Sequence, residues 1–458
     1  MTAQTPTALE HSEFRGRIGV ARQEITPPAG IYARLWGSAK HDVAEGVHRP
    51  LLGSCLVFQD RTQSTELVLL AMDLSILTQE EMTSIRTTLL KQLALEPHQL
   101  SIHPSHSHSI PVYSRSHTNR PGGHLIIPYL ETLPGICASL VNQARANCAS
   151  ATLSWAYGKC SLAFNRDAID AASGRDVCGL NLDEKGDDTL LVGRITDEAG
   201  AIRATIVNYA CHPVSLGGAN KLISPDYVGA MRELVERDTG GAPCVFLHGP
   251  SGDLTPRRSY EANVEAADQN GRELGYAALT TLAAMFPPGQ QLQYMGIEES
   301  GTPLGVWRLQ PKPVVSEELS AQVMNTKLPL KAMPERAEIE RQLSVAKERY
   351  EIEILERTRG RLTLAGDGSF YFTVWKLGDA FMICVPSESY SHLQLQLRAQ
   401  FPDSHVAVLN LCDGTYMYLP TKAAYERNDV YPVRVSLYES GSLEHVAELA
   451  TAAIEEMR

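Results

Sequence analysis

The sequence predicts an α/β protein with mixed, largely parallel sheets flanked by helices. Three observations lead to this fold class. Near-continuous apolar runs such as Glu66–Leu77 are typical of strands buried on both faces. Segments with helical spacing of apolar residues alternate with these runs. Histidines and carboxylates recur just after the runs end, which is where open α/β sheets place their ligands.

The first unit runs from Glu66 to the histidines after residue 102. After the Glu66–Leu77 run, Thr78–Glu81 ("TQEE") has the pattern of a capping box, and apolar residues follow at helical spacing. His98–Ile102 ("HQLSI") then predicts another strand. The stretch "SIHPSHSHS" therefore lies at the carboxyl end of a strand, with His103, His106 and His108 in it.

A second unit repeats this order. Ala201–Cys211 ("AIRATIVNYAC") predicts a strand, and His212 follows it at once. Ser224 and Pro225 predict the start of a helix, with the serine as N-cap and the proline in the first turn. The run "APCVFLHG" predicts a third strand, which leads into the loop "PSGDLTPR".

Beyond about residue 300 the pattern changes. Pro334–Arg361 predicts one long charged helix with an apolar stripe that packs on one side, and Leu443–Met457 predicts a C-terminal helix. Three strand-like runs lie between them: "FYFTVWKL", "AFMICV" and "HVAVLNL". Residues 302–318 are rich enough in proline to be a crossing segment. We expect a single catalytic domain over 1–458, divided into lobes at about 15–300 and 301–458.

Composition limits the classes of partner. The formal net charge of −12 argues against nucleic acid or an anionic membrane surface. The N-terminus lacks the apolar stretch of a secretory signal, and no apolar run approaches the ~20 residues of a membrane helix. The nine cysteines form no C-x-x-C pair, which suits reduced thiols. These features favour a cytoplasmic protein with a small-molecule substrate, and they leave homo-oligomerisation open.

The ionisable residues at strand ends are individually weak signals. His106 and His108 project to one side of an extended segment, as a metal site or a polar surface loop would require. His212 alone fits a structural histidine, and Asp253 fits a ligand, a base or a loop cap. Glu388 follows an apolar strand, and a tyrosine-rich segment follows the last one. Together, four strand ends deliver His, His, Glu and Tyr, a set of N and O ligands that zinc accepts.

Seven motifs resemble, in order, those of the neutral/alkaline (non-lysosomal) ceramidase family along nearly the whole chain. They are "RIGVARQEITPPAG", "EGVHRPLLGSCLVFQD", "SHSHS", "NYACHPVSL", "GPSGDLTPR", "VPSES" and "TYMYLPTKAAY". The resemblance identifies a bacterial-type ceramidase-like protein made of the N-terminal catalytic domain only. It implies the α/β fold of that domain, without the immunoglobulin-like C-terminal domain of the family.

The resemblance also implies residue roles. It implies one Zn²⁺ per chain, or another divalent metal, held by four ligands: His106, His212, Glu388 and Tyr418. His108 corresponds to a proton shuttle or oxyanion partner beside the metal. Arg166, in "FNRDA", and Tyr431 correspond to an arginine and a late tyrosine of the family's active site.

The departures from the family concern the substrate. The family's nucleophilic serine is replaced by Thr255, whose extra methyl group crowds the site and which needs a base close by. Arg257 replaces an asparagine and adds a positive charge near the pocket. We expect Asp253 to take part in catalysis, and Arg257 and His248 to bind substrate.

These inferences predict a zinc-dependent hydrolase of a C–N amide, or ester, bond in a soluble, anionic or polar substrate. Two other enzymes fit the same residues. One is a true neutral ceramidase that uses Thr255 as nucleophile, and the other is a metal-dependent lyase or isomerase acting on a polar metabolite. A metal-binding protein without enzymatic activity is the third alternative.

Overall fold

The computed structural model describes residues 8–427 and 429–458. Residues 1–7, on which the expectation about a secretory signal partly rests, lie outside the described part. The strands are β1 Ala8–Leu9, β2 Glu13–Glu24, β3 Gly46–Val47, β4 Leu52–Gln59, β5 Glu66–Met72, β6 Leu100–Pro104, β7 Ala149–Lys159, β8 Ala163–Asn165, β9 Asp167–Ile169, β10 Asp176–Cys178, β11 Thr189–Asp197, β12 Ile202–Tyr209, β13 Leu222–Ile223, β14 Cys244–His248, β15 Leu254–Pro256, β16 Gln290–Glu299, β17 Pro303–Pro311, β18 Leu319–Lys327, β19 Ser369–Leu377, β20 Ala380–Cys384, β21 Glu388–Ser389, β22 Val406–Leu409 and β23 Tyr418–Leu419. The α-helices are α1 Gln79–Leu93, α2 Ile126–Ala146, α3 Tyr227–Asp238, α4 Val264–Ala284, α5 Arg336–Val345, α6 Arg349–Ala365, α7 His392–Gln400, α8 Tyr431–Val435 and α9 Ser442–Met457. Short 3₁₀ helices cover Pro97–Gln99, Arg115–His117, Gly123–Leu125 and Lys422–Glu426.

The largest sheet has eight strands in the order β14-β12-β11-β7-β2-β4-β5-β6. The mixed α/β class is confirmed, but the prediction that the sheets are largely parallel is wrong. In this sheet only β5–β6 and β12–β14 are parallel. These are the pairs with a crossover helix between their strands, α1 and α3. Short links such as the one between β4 and β5 can join only antiparallel neighbours.

The helices next to the parallel strands begin at identifiable caps. Thr78 accepts a hydrogen bond from the Glu81 N–H, which is half of the predicted capping box, whereas the Glu81 carboxylate accepts from the Arg115 N–H. Helix α1 buries its apolar face. The predicted start of α3 is wrong by two residues, because Asp226 is its N-cap and accepts from the Tyr227 N–H. Ser224 instead accepts a hydrogen bond from the Asp226 N–H, so it fixes the loop before the helix.

A second sheet, β18-β19-β20-β22, packs against the first. Trp155 of the first sheet shares a buried cluster with Trp375 and Met382 of the second, so both predicted lobes contribute to this core. Residues 302–318 were expected to be a crossing segment, but they contain β17, which pairs with β16. The prolines Pro303 and Pro311 lie at the two ends of this strand, where a missing N–H disturbs the ladder least.

The charged segment near residue 340 is two helices, not the single helix that was predicted. Ala346 adopts an extended backbone conformation and ends α5 before α6 begins. The expected packing on one side is present but loose. Ile339 is the buried residue of α5, and no residue of α6 is fully buried. Along α6 half-buried residues such as Ile352 and Leu355 alternate with exposed ones, and Leu364 packs against the core.

One helical segment, Gly123–Ala146, is long and apolar enough to cross a membrane by length and composition, with a mean hydropathy of 1.3. Sequence analysis did not single it out, because Glu131 and Pro134 interrupt its apolar residues. In the structure α2 lies against β2 and β4, and Leu133 and Leu140 are buried in the core under the large sheet.

Candidate metal centre and active site

The site lies where the carboxyl ends of strands from both sheets meet. His106 follows β6, and His212 follows β12. Glu388 begins β21 and Tyr418 begins β23, and the parallel pairing of these short strands sets the two residues opposite each other. The structure therefore brings all four predicted ligand residues together, although they are spread over more than 300 positions of the chain.

The His106 side chain is held in one orientation by the loop after β5. Its backbone has a φ of 65°, an uncommon conformation outside glycine, and its N–H donates to the Leu74 carbonyl. Its Nδ1 lies 3.0 Å from the Ser75 carbonyl oxygen. Because a carbonyl can only accept, Nδ1 carries the proton and the Nε2 lone pair points into the site.

His212 is held in the same way from the other side. Its Nδ1 lies 2.7 Å from the Ser251 carbonyl oxygen, so its Nε2 also presents a lone pair. Burial, followed by the charge of Arg166, lowers the pKa of His212 to about 4, so the ring is neutral at pH 7. This is the protonation state in which an imidazole serves as a metal ligand.

The Glu388 carboxylate faces both of these lone pairs. Its Oε2 lies 3.1 Å from Nε2 of His212 and 3.3 Å from Nε2 of His106. Burial works against ionisation of Glu388, but the neighbouring histidines outweigh it and hold its pKa well below the usual range. When no metal is bound, a proton on an imidazole Nε2 must lie between these atoms, and this proton is what lowers the pKa of Glu388. Without it all three atoms are acceptors, because each Nδ1 proton is bonded to a backbone carbonyl. A divalent cation is the group that satisfies all three, so these residues fit the metal that the family resemblance implies.

His108 adds a third imidazole. Its Nε2 lies 3.3 Å from Nε2 of His106, and ligand nitrogens of His106, His108 and His212 lie within 4.8 Å of one another. The three rings therefore form a site that could hold a metal ion. His108 is less buried than the other two, and its ring centroid is 5.3 Å from that of Trp36. It is the imidazole on the solvent side of the cluster.

Arg166 and Tyr418 form the wall opposite His108. Arg166 donates from Nη2 to the Tyr418 hydroxyl oxygen over 3.0 Å and from Nε to the Gly252 carbonyl over 3.0 Å. The Tyr418 oxygen lies 3.5 Å from Nε2 of His212. Tyr431 stands further out, with its ring 5.8 Å from that of Tyr418, and it is 37% exposed. The wall thus runs from the imidazoles to the surface.

Thr255 is buried beside the histidines. It lies in β15, and the carbonyl of the preceding residue, Leu254, accepts from the His212 N–H. The Thr255 hydroxyl has no hydrogen-bond partner among the described residues. Buried hydroxyls are ordinarily paired, so this one is free to bind a substrate or water.

Asp253 and His248 lie one layer behind the site instead of facing it. The Asp253 carboxylate accepts from the N–H and the hydroxyl of Ser391, 2.7 Å each, at the start of α7, and burial raises its pKa to about 6. His248 is fully buried, with Nε2 2.9 Å from the Ser251 hydroxyl oxygen. Both positions suit side chains that hold the loop behind His212. The catalytic role predicted for Asp253 and the substrate binding predicted for His248 would need these side chains to face the site, which they do not.

Arg257 is not brought to the site. Its side chain is 47% exposed and donates to Glu273 of α4 over 2.7 Å. In an extended strand Arg257 would lie on the same face as Thr255, but β15 ends at Pro256, so the arginine turns outward. The expected positive charge near the pocket is therefore absent at this residue.

Three residues near the site were missed by sequence reasoning. Trp36 contacts His108 from the loop before β3, and Tyr260 packs edge-on against Trp36 at 5.7 Å. Ser251 holds His212 through its carbonyl and contacts His248 through its hydroxyl. Ser251 and Tyr260 flank the "GDLTPR" loop, so their closeness to a predicted site loop could have indicated them. Nothing in the sequence near Trp36 connects it with His108, which lies 72 positions later.

Comparisons with known proteins agree with this architecture. A solved ceramidase complexed with C2 superposes with a TM-score of 0.69 at 14% identity, over 97% of this chain and 76% of that one. Neutral ceramidase from Pseudomonas aeruginosa gives 0.67 at 14% identity, over 97% and 75%. No curated protein matches the sequence. The family model for the N-terminal part of neutral/alkaline non-lysosomal ceramidases matches residues 17–257, more than half of the chain. This chain therefore belongs to the neutral/alkaline non-lysosomal ceramidase family, and that membership implies a hydrolase.

Proposed function

We propose that the protein is a zinc-dependent hydrolase of a C–N amide bond, or an ester, in a soluble anionic or polar substrate. The observation that carries this proposal is the set of acceptors around Glu388. Two imidazoles whose Nδ1 protons are committed to backbone carbonyls face one carboxylate. His106, His212, Glu388 and Tyr418 would hold the metal, with His108 beside them.

The residues around the proposed metal would have two roles, stabilising the reacting groups and transferring protons. Zinc bound there would polarise a scissile carbonyl and lower the pKa of a water molecule towards ~7. Arg166 keeps its guanidinium charge next to Tyr418, so it stabilises negative charge that develops on the reacting oxygen. Burial first, and the neighbouring histidines next, hold the pKa of His108 well below its ordinary value. Its ring is therefore neutral at pH 7, and its Nε2 faces the cluster, which is the position of the proton shuttle in this proposal.

Thr255 acts in this proposal as a positioning hydroxyl. A nucleophilic hydroxyl needs a base within about 3 Å, and Oγ1 of Thr255 has no hydrogen-bond partner. A free hydroxyl is instead suited to orient the substrate or the attacking water. Tyr431, at the outer end of the wall, is placed to donate a proton or a hydrogen bond to the part of the substrate nearest the solvent.

The surroundings favour a polar substrate over a membrane lipid. The cavity next to His108 is lined by polar residues such as His41, Asn220 and Lys221 as well as apolar ones such as Leu35 and Trp36. The charged helix α6 bonds to the loop that carries Trp36. A long-chain lipid requires an extended apolar surface. The lack of such a surface among the described residues at the cavity supports a small-molecule substrate. The nine free thiols suit a reducing compartment and support action in the cytoplasm.

The test is hydrolysis of a panel of soluble N-acyl compounds by the zinc-loaded protein in ¹⁸O-labelled water. We expect solvent oxygen in the released carboxylate and no turnover by metal-free protein. Turnover without ¹⁸O in the product would support a lyase or isomerase and would overturn hydrolysis. No turnover across the panel, with zinc bound, would count against an amide substrate.

A second candidate is a true ceramidase in which Thr255 is the nucleophile. The family membership favours it, because Thr255 stands at the position of the family's nucleophilic serine. It predicts cleavage of a short-chain N-acyl-sphingosine and complete loss of activity in Thr255→Val. If Thr255 only positions the substrate, the same variant loses roughly tenfold to a hundredfold in kcat/KM and keeps measurable turnover.

A further inference from the structure

Helix α6 lies across the mouth of the site. Near its start Glu353 accepts from Arg34 over 2.8 Å, in the loop that carries Trp36. One turn later Arg357 donates to the Leu35 carbonyl over 2.7 Å. After another turn Arg361 reaches the Arg434 carbonyl in α8, the helix that begins with Tyr431. Residues four apart share one face of a helix, so this face of α6 looks onto the site.

Three arginines on this face and on α8 carry no counter-charge. Arg357, Arg361 and Arg434 form no salt bridge in the part of the chain that the structure describes. We call these three the arginine rim. The Nε of Arg361 is buried without a hydrogen-bond partner, which is costly for a guanidinium group unless a ligand completes it.

Most other arginines of the same segment form salt bridges, although Arg336 does not and donates to the Thr363 hydroxyl instead. Arg341 pairs with Glu338, and Arg359 lies 3.5 Å from Glu340. Arg349 pairs with both Asp42 and Glu353. The chain carries 53 acidic and 41 basic residues, so acidic partners are plentiful. Arginines without a salt bridge occur elsewhere in the described chain, for example Arg175 and Arg203, but at the mouth three of them lie together.

The arginine rim is continuous with the reacting end of the site. The Arg434 guanidinium lies 5.8 Å from the centre of the Tyr431 ring, and that ring lies 5.8 Å from Tyr418. Tyr418 in turn accepts from Arg166. A small substrate with its scissile bond at the histidines would have its outer end at the arginine rim.

We propose that the arginine rim binds a carboxylate of the substrate. The inference rests on the proposed function and makes it narrower, because it names an N-acyl compound with a free carboxylate as the substrate class. The guanidinium fork matches the two oxygens of a carboxylate, and such charge-assisted pairs are the stronger hydrogen bonds. This rim supplies the positive charge that Arg257, turned towards Glu273, does not supply.

The experiment compares two ligands that differ only in charge, N-acetyl-L-phenylalanine and its neutral carboxamide. Binding of each to the full-length zinc-loaded protein is measured by isothermal titration calorimetry. The variants are Arg361→Gln on α6 and Arg434→Gln on α8. Arg359→Gln is the matched control, because it lies on the same helix and is paired with Glu340. Circular dichroism melts establish that each variant is folded.

We expect the wild type to bind the carboxylate roughly tenfold to a hundredfold tighter than the carboxamide. Either rim variant should remove most of that preference, and Arg359→Gln should keep it. Equal affinities, no binding of either ligand, or a preference that survives in both rim variants would overturn the proposal. The last result would mean that the metal, and not the rim, attracts the anion.

Cleavage followed in the same samples separates the two proposals. Cleavage of both ligands without a binding preference would overturn the arginine rim and leave the proposed hydrolase standing. A rim-dependent binding preference without any cleavage would support the rim and count against the amide hydrolase.

Discussion

The floor and the roof of the site are built in opposite ways. The floor consists of strand ends, where His106, His212 and Glu388 are at most 4% exposed and each is bonded to another buried group. The roof is α6, which buries no residue and is attached by side-chain contacts to the loop before β3 and to α8. The floor therefore keeps its geometry, whereas the roof is expected to open locally and let substrate in.

Ion pairing in the floor is more completely buried than in the roof, where the Arg34–Glu353 pair leaves Glu353 partly exposed. Arg232 of α3 donates from Nη1 to Asp73 over 2.8 Å, and both side chains are nearly inaccessible. Asp73 also accepts from the Leu52 N–H, and it immediately precedes the residues whose carbonyls hold His106. Breaking a floor contact should thus disturb folding or metal binding, while breaking a roof contact should disturb local opening.

The largest effect is expected from His212→Ala. The variant removes one of the converging acceptors, so metal content should fall from about one ion per chain to near zero. Elemental mass spectrometry on purified protein measures this directly. The exposed His392→Ala should keep the wild-type content, since it lies on α7 away from the cluster. Equal metal content in the two variants would mean that the floor does not hold the ion.

Arg232→Met should cost about 3–5 kcal/mol in the free energy of unfolding, because it leaves the Asp73 carboxylate buried without its partner. Urea denaturation gives the value. The control is Arg237→Met on the same helix, whose pair with Asp238 is exposed and should matter by less than about 1 kcal/mol. Similar losses in both variants would contradict the idea that burial distinguishes this pair.

Asp253 makes the free energy of unfolding depend on pH. Its folded-state pKa of about 6 lies above its ordinary value, so the folded chain holds the proton more tightly than the unfolded chain. The free energy of unfolding should therefore fall as the pH rises from about 4 to about 6, by ~3 kcal/mol from this group.

Asp253→Asn should remove this component while keeping an acceptor for the Ser391 N–H. Urea titrations at a series of pH values compare the two proteins. The difference in unfolding free energy, variant minus wild type, should increase across that window. A constant difference would mean that Asp253 does not titrate there.

The smallest effect on global stability is expected in the roof. Arg349→Gln removes exposed ion pairs to Asp42 and Glu353, so the free energy of unfolding should change by less than about 1 kcal/mol. Hydrogen exchange of α6 and of the loop that carries Trp36 should nevertheless become faster. A global loss as large as that of Arg232→Met would show that the roof is part of the core.

The site residues also differ in how well the sequence predicts their positions. Strand ends are local patterns, and His106, His212, Glu388 and Tyr418 could be placed on them and on motifs that resemble the family. That they hold a metal stays a prediction, but their meeting is now a fact of the fold. The expectation that Arg257 places a positive charge near the pocket was wrong. Strand β15 ends at Pro256 and the Arg257 side chain turns outward, which a sequence motif does not show.

By itself the sequence determined the α/β class, the two parallel crossover units and the family, because periodicity and short motifs are properties of neighbouring residues. Only the tertiary structure decided which residues far apart in the chain lie next to one another in the site. It put Trp36 against His108, moved Asp253 and His248 behind the predicted metal ligands, and left the arginine rim without acidic partners. Contacts between residues far apart in the chain depend on how whole elements pack, and no local pattern encodes that packing.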